Sequence, residues 1–141
     1  MNKILLFDRR AKLALIERAV KARLSGDVAG FAECFAMDAV FSLSGCPHLM
    51  PYFGRRVGRD SMMEAIRFFD AELRQYNNII DAPLIDGNQA ALRFRMTLRS
   101  RGGGEPAPTR CLAHLKFSDW LIAEMAVFID SALVVNLVRS G

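Results

Sequence analysis

Apolar residues in the first part of the chain recur at helical intervals. Leu13, Ile16, Val20 and Leu24 share one face of residues 11–24, with Lys12, Glu17, Arg18, Lys21 and Arg23 elsewhere, a spacing that predicts an amphipathic helix. Ser25-Gly26 ends it, and Asp27 can cap a second, short helix striped by Val28, Phe31, Ala32 and Phe35. Residues 39–43 are rich in β-formers and predict a first strand. Residues 44–58 hold Gly45, Pro47, Pro51, Gly54 and Gly58, which predicts an irregular loop. A third helix opens at Asp60-Ser61, where Ser61 and Glu64 have capping-box spacing. Its apolar face is Met62, Ile66, Phe69, Leu73 and Tyr76, and Asn77-Asn78 stops it.

From residue 79 the period changes to two. Residues 79–85 predict a strand that Pro83 confines to an edge or a bulge, and Asp86-Gly87-Asn88 is a hairpin signal. In residues 89–100, Ala90, Leu92, Phe94, Met96 and Leu98 alternate with polar residues, among them Arg93, Arg95 and Arg99. A Gly-rich turn follows. Residues 109–117 then place Cys111, Ala113, Leu115 and Phe117 on one face. Residues 120–130 do the same with Leu121, Ala123, Met125, Val127 and Ile129. Residues 131–141 carry no assignment. Helices followed by a meander of long strands predict an α+β domain spanning residues 1–141, with three N-terminal helices covering the apolar face of the sheet.

Composition narrows this picture only a little. Just over half of the 141 residues are hydrophobic, enough for a core without disulfides or metal. Cys34, Cys46 and Cys111 are odd in number and lack C-x-x-C spacing, so neither a disulfide framework nor a structural zinc site is expected. No metal or cofactor is expected. No apolar run approaches a membrane span, and Ile4-Leu5-Leu6-Phe7 is shorter than a signal-peptide core. The expectation is a cytoplasmic protein. A formal charge of +4 permits an acidic partner without implying one.

Several phrases resemble a known family. Ser25-Gly26-Asp27 between two helices, then Phe35-Ala36-Met37-Asp38-Ala39-Val40-Phe41, resembles the "GD…FAxDAxF" passage of SnoaL-like proteins. Gly58-Arg59-Asp60 resembles their "GRD" helix start, and Ser118-Asp119-Trp120-Leu121-Ile122 with Phe128-Ile129-Asp130 resembles their "DGKI…YFD" ending. These phrases extend from about Ala11 to Asp130. The resemblance is to the nuclear transport factor 2-like superfamily, which includes SnoaL-type cyclases, ketosteroid isomerases and limonene epoxide hydrolases. It implies a cone-shaped half-barrel: a strongly curved, mostly antiparallel sheet wrapped around the helices, with an apolar pocket inside. The places where steroid isomerases carry their base and oxyanion donor fall on Leu43 and about Ala19. The places of the hydrolases' water-activating groups fall on Phe41 and Leu43, near Phe94 and Met96, and near Val127. All are apolar here, and fold alone does not decide function.

The expected site is therefore a pocket for a small apolar molecule, lined by Phe41, Leu43, Tyr52, Phe53, Phe69, Phe94, Met96, Cys111, Val127 and Ile129. Enzymatic chemistry, if present, would be of isomerase or cyclase type, with His48, Tyr52 and His114 as candidate acid–base groups. Cys46-Pro47-His48 alone is too small a set for a metal or a nucleophilic pair. The opposite sheet face bears Arg93, Arg95, His114, Ile122 and Phe128. This mix of aromatic, aliphatic and arginine residues fits a homodimer contact better than a nucleic-acid groove. Asp130 reads as structural, capping the tail or pairing with an arginine. The competing reading is a non-catalytic dimeric interaction module whose cone is filled by phenylalanines.

Overall fold

The computed structural model describes residues 7–140; Ile4-Leu5-Leu6 lies outside them. Helix α1 spans Arg9–Ser25 and α2 spans Val28–Ala32. Strands β1 (Phe35–Leu43) and β2 (Gly54–Val57) precede α3 (Arg59–Glu72). Then come β3 (Leu73–Ile80), β4 (Leu84–Asp86), β5 (Gln89–Ser100), β6 (Ala107–Ser118), β7 (Leu121–Phe128) and α4 (Ser131–Ser140). The sheet order is β2-β1-β7-β6-β5-β3, with β4 also paired to β5. Among the described residues, only the β1–β7 pairing is parallel. Residues of α1, α2 and α3 pack on one face of this open, curved sheet and share a single buried cluster with it.

Local chemistry explains most boundaries. The Asp8 carboxylate accepts from the Ala11 amide at 3.0 Å and caps α1. Gly26, left-handed at φ 78°, ends it and sends its amide back to the last-turn carbonyls. Asp27 caps α2 through the Gly30 amide at 2.8 Å. Asp130 does the same for α4, accepting from the Leu133 amide at 3.1 Å. The unassigned tail is thus a helix, burying Val134, Val135 and Leu137 and packing beside β5.

Several expectations need correction. On α1 the buried face is Lys12, Leu15, Ile16 and Ala19 rather than the stripe ending at Leu24, which is exposed. Phe35 belongs to β1, and the loop after β1 contains β2. The third helix ends at Glu72: Leu73 and Tyr76 lie in β3, where they pair with Ser100 and Thr97 of β5. Asn77, at φ 54°, sits where the β3–β5 register shifts, so Asn77-Asn78 marks a bulge rather than a helix stop. The capping box is not formed. Gly58 precedes α3 without a side-chain cap, and Arg56 instead donates to the Ser61 carbonyl and to Glu64. The Gly58-Arg59-Asp60 phrase has a different role: Arg59 donates to the Phe35 carbonyl and ties the start of α3 to β1.

On β7 the two-residue alternation breaks. Phe117 pairs with Ile122 and Lys116 with Glu124, leaving Ala123 as an extra residue. Such a bulge reverses the parity of the strand around it. Ile122 therefore points inward, 1% exposed, and does not belong to the outer face assigned to it from the sequence.

Gly45 and Phe53 fix the loop that leads into the site. Gly45 has φ 143°, and a Cβ there would lie 2.5 Å from the Phe53 ring. Gly45→Ala is expected to cost about 1–3 kcal/mol through backbone strain and displacement of that ring, read as a lower urea midpoint.

Candidate functional site

The interior is not packed solid. Two cavities of about 80 and 100 Å³ lie side by side between the helices and the sheet. On the same kind of measure a single water needs only roughly 10–15 Å³. The smaller lobe is walled by Ile16 and Ala19 of α1 and by Leu92, Ala113, Leu115 and Ile122 of the sheet. The larger one is walled by Phe41, Leu43, Phe69, Met96, Val127 and Ile129, with Tyr52 from the loop before β2. Five residues line both: Arg23, Phe31, Gln75, Phe94 and Met125.

Eight of the ten expected pocket residues thus line the larger lobe. Phe53 does not: it is buried behind Tyr52, with the rings edge-to-face at 5.4 Å. Cys111 does not line either lobe. It is 4% exposed within the β5–β6 layer, and burial pushes its thiol up to about 12. The candidate acid–base groups separate. His48 is exposed in the loop, next to exposed Cys46. His114 lies on the outer sheet face with Nε2 2.9 Å from Gln89. Among the described residues, no group of three or more His, Cys, Asp or Glu could hold a metal.

Tyr52 is the candidate that reaches the cavity wall. Its ring meets Phe69 edge-to-face at 5.3 Å, and it is 1% exposed. Its buried hydroxyl finds no hydrogen-bond partner among the described residues. Burial first, and the nearby Glu72 carboxylate second, raise its pKa to about 12. Tyr52 therefore stays a neutral phenol throughout the physiological range, unable to serve as a base.

Polar side chains absent from the expected site are Arg23 and Gln75, which line both lobes, and Asn78, which lines the smaller. Arg23 follows Ile16 and Ala19 on one face of α1, at i+7 and i+4, and reaches the boundary of the two lobes. Its guanidinium grips Asp70 of α3 through two hydrogen bonds of 2.8 and 3.0 Å. The Asp70 carbonyl also accepts from Arg101 Nε. Gln75 donates to Asn78 Oδ1 at 2.9 Å. Assigning residues 73–76 to a helix hid Gln75, whereas the inward parity of a strand starting at Leu73 exposes it.

The outer face of the sheet is partly apolar. Leu112 and Phe128 are directly paired across β6 and β7 and are 38% and 52% exposed. Ile79 pairs with Arg95 nearby. Arg93 is bound to Asp81 at 3.0 Å and Lys116 to Glu124 at 3.2 Å.

Tyr52→Phe is expected to raise stability by about 1 kcal/mol, because a buried hydroxyl without a partner carries an unrecovered desolvation cost. The pH dependence has a definite sign. Between pH 10 and about 12 the folded state keeps the Tyr52 proton that the unfolded chain releases. The Tyr52 contribution is therefore full below pH 10 and is lost at about 1.4 kcal/mol per unit between there and about pH 12. Cys111 adds the same slope from pH 9.0 upward. Urea midpoints at pH 8 and 10.5 should show the advantage of Tyr52→Phe widening at the higher pH.

With this geometry in place, comparisons with known proteins bear on it. A SnoaL-like domain model matches residues 16–125. No protein of curated function matches the sequence. Among solved structures, an NTF2-like protein of unknown function from Burkholderia pseudomallei superposes with a TM-score of 0.83 at 14% identity, covering 91% of this chain and 97% of that one. A protein provisionally named an isomerase, from Rhodopseudomonas palustris, does so at 0.75 with 16% identity and full coverage of both chains. One provisionally named a polyketide cyclase, from Xanthomonas campestris pv. campestris, gives 0.74 at 14% identity, covering 92% and 98%. These likenesses establish the fold, an NTF2-like cone, and the match over most of its length establishes that the chain belongs to the SnoaL-like domain family.

Proposed function

We propose that the protein binds a small, largely apolar, neutral molecule inside the cone. The observation that carries this reading is the pair of adjoining cavities with almost wholly apolar walls, the usual character of small-molecule sites. The alternative module with a filled core fits these cavities poorly. Any chemistry performed here is of the isomerase or cyclase kind, in line with the provisional names of two proteins of the same fold. The places matched to the acid–base residues of steroid isomerases and epoxide hydrolases are Ala19, Phe41, Leu43, Phe94, Met96 and Val127, all apolar and all lining the cavities. Tyr52 lines the larger lobe as a neutral phenol. Folding a flexible substrate against an apolar wall so that its own reacting atoms meet is a contribution that needs no base.

The outer sheet face supports a homodimer. Leu112, Phe128 and Ile79 are exposed together beside Arg93 and Arg95, a composition typical of protein contacts. The ion pairs of Arg93 and Lys116 reduce the free positive charge that a nucleic-acid surface would need. Three free cysteines, Cys46 exposed among them, fit a cytoplasmic setting. No described helix is long and apolar enough to cross a membrane.

Two measurements test these readings. Diphenylmethane at ten times its dissociation constant should stabilise the protein by about 1.4 kcal/mol, seen as a rise in melting temperature. Ala65→Leu, which extends into the larger lobe, should weaken that response; no response in the wild type removes the pocket reading. Sedimentation should give twice the 15.7 kDa chain mass, and Phe128→Glu should return it to the monomer value. A wild-type monomer at all concentrations would contradict the dimer.

A further inference from the structure

Arg23 and Gln75 line both lobes, and this bears on the shape of the ligand. Of the other polar residues, Asn78 lines the smaller lobe and is bonded to Gln75, and Tyr52 lines the larger with its hydroxyl buried; Ile80, Leu92, Ala113, Leu115 and Ile122 wall the sheet side of the smaller lobe, and Phe41 and Leu43 wall the larger. Polarity is therefore concentrated where the lobes meet, with apolar space on either side. We infer that the pocket takes a molecule with two apolar arms joined through a central, uncharged oxygen function such as a ketone, the arms filling the two lobes and the oxygen facing Arg23 and Gln75. This rests on the small-molecule reading above and specifies its substrate class.

The charge state follows from the Arg23–Asp70 pair. Asp70 occupies two N–H groups of the guanidinium, at 2.8 and 3.0 Å, and neutralises it. A guanidinium has five N–H donors, so three remain for other acceptors. A neutral carbonyl oxygen can use them while the ion pair stays intact. A carboxylate would enter next to Asp70 and meet a like charge. Gln75 is oriented by its own bond to Asn78 at 2.9 Å, which fixes its amide at the same boundary. The wall between the lobes is adaptable. Met125 is one of its residues, and methionine repacks around an irregular guest at little cost; Phe94 is another and is only half-buried. The Tyr52 hydroxyl is closed off in the larger lobe, so the central oxygen is read at the boundary rather than at Tyr52.

A matched pair of probes tests this. Benzophenone carries two phenyl arms on a central carbonyl, and diphenylmethane has the same arms without the oxygen. Calorimetric titration of the wild-type protein should give roughly fivefold tighter binding of benzophenone, the worth of one net hydrogen bond. Gln75→Leu and Arg23→Met should each reduce that preference, read as the ratio of benzophenone to diphenylmethane affinity within the same variant. Using two variants guards against one that fails to fold. Equal affinity for both probes in the wild type, or an undiminished preference in both variants, overturns the central-oxygen assignment and leaves the apolar pocket standing. Failure of both probes to bind overturns the pocket reading and this inference with it.

Discussion

The register of β5 against β6 and β7 is the constraint on which the rest of this molecule depends. Side chains alternate faces along a strand, so a one-residue slip of β5 would turn Leu92, Phe94 and Met96 into solvent. Each large side chain so exposed forgoes about 1.5–3 kcal/mol. Pairings such as Phe94 with Cys111 and Leu92 with Ala113 place the apolar rows of neighbouring strands on one face. The helices can then bury that face in a single cluster. The bulge at Ala123 belongs to the same constraint. Ile122 and Met125 have opposite parity in a regular strand, yet both line the smaller lobe.

The helices are held over this face by cations as well as by packing. Arg59 joins the start of α3 to β1 through the Phe35 carbonyl, and Arg23 joins the end of α1 to Asp70 near the end of α3. With side chains 23% and 31% exposed, the Arg23–Asp70 pair contributes only about 0–1 kcal/mol, so its main effect is on position. It keeps the end of α1 at a set distance from α3, where a long side chain forms the border of two cavities. Lys12, buried on the same helix, donates to the Gly87 carbonyl at the β4–β5 turn. The cone is thus apolar on its walls and polar at a few fixed points.

This distribution leaves the walls of the larger lobe with few ionisable groups. Phe41, Leu43, Phe94, Met96 and Val127 surround the larger lobe, and none can exchange a proton near neutrality. Tyr52 is held neutral by its burial. The remaining polar residues of the lining are Arg23, Gln75 and Asn78. On the reading proposed above, such a set of residues serves recognition by shape with one hydrogen-bonded oxygen.

Much of this was legible in the chain. Period-two alternation in β5 and β6 specified which face is buried, because one apolar face per strand has only one place to go. The α+β class, the first two helices and most of the lining followed, since Phe41, Leu43, Phe94, Met96 and Val127 occupy inward positions whatever the details of packing. What tertiary structure alone decided depends on pairing across long sequence distances. Leu73 and Tyr76 continue a helical pattern locally, yet pairing with Ser100 and Thr97 makes their segment a strand. Ile122 changes face because β6 accepts an extra residue in β7. Arg23 gained its place at the lobe boundary only when Asp70, on another helix, came to meet it. Local periodicity reports the face a residue prefers; the partner strand or helix, which no local window contains, settles where register breaks and where a charge is held.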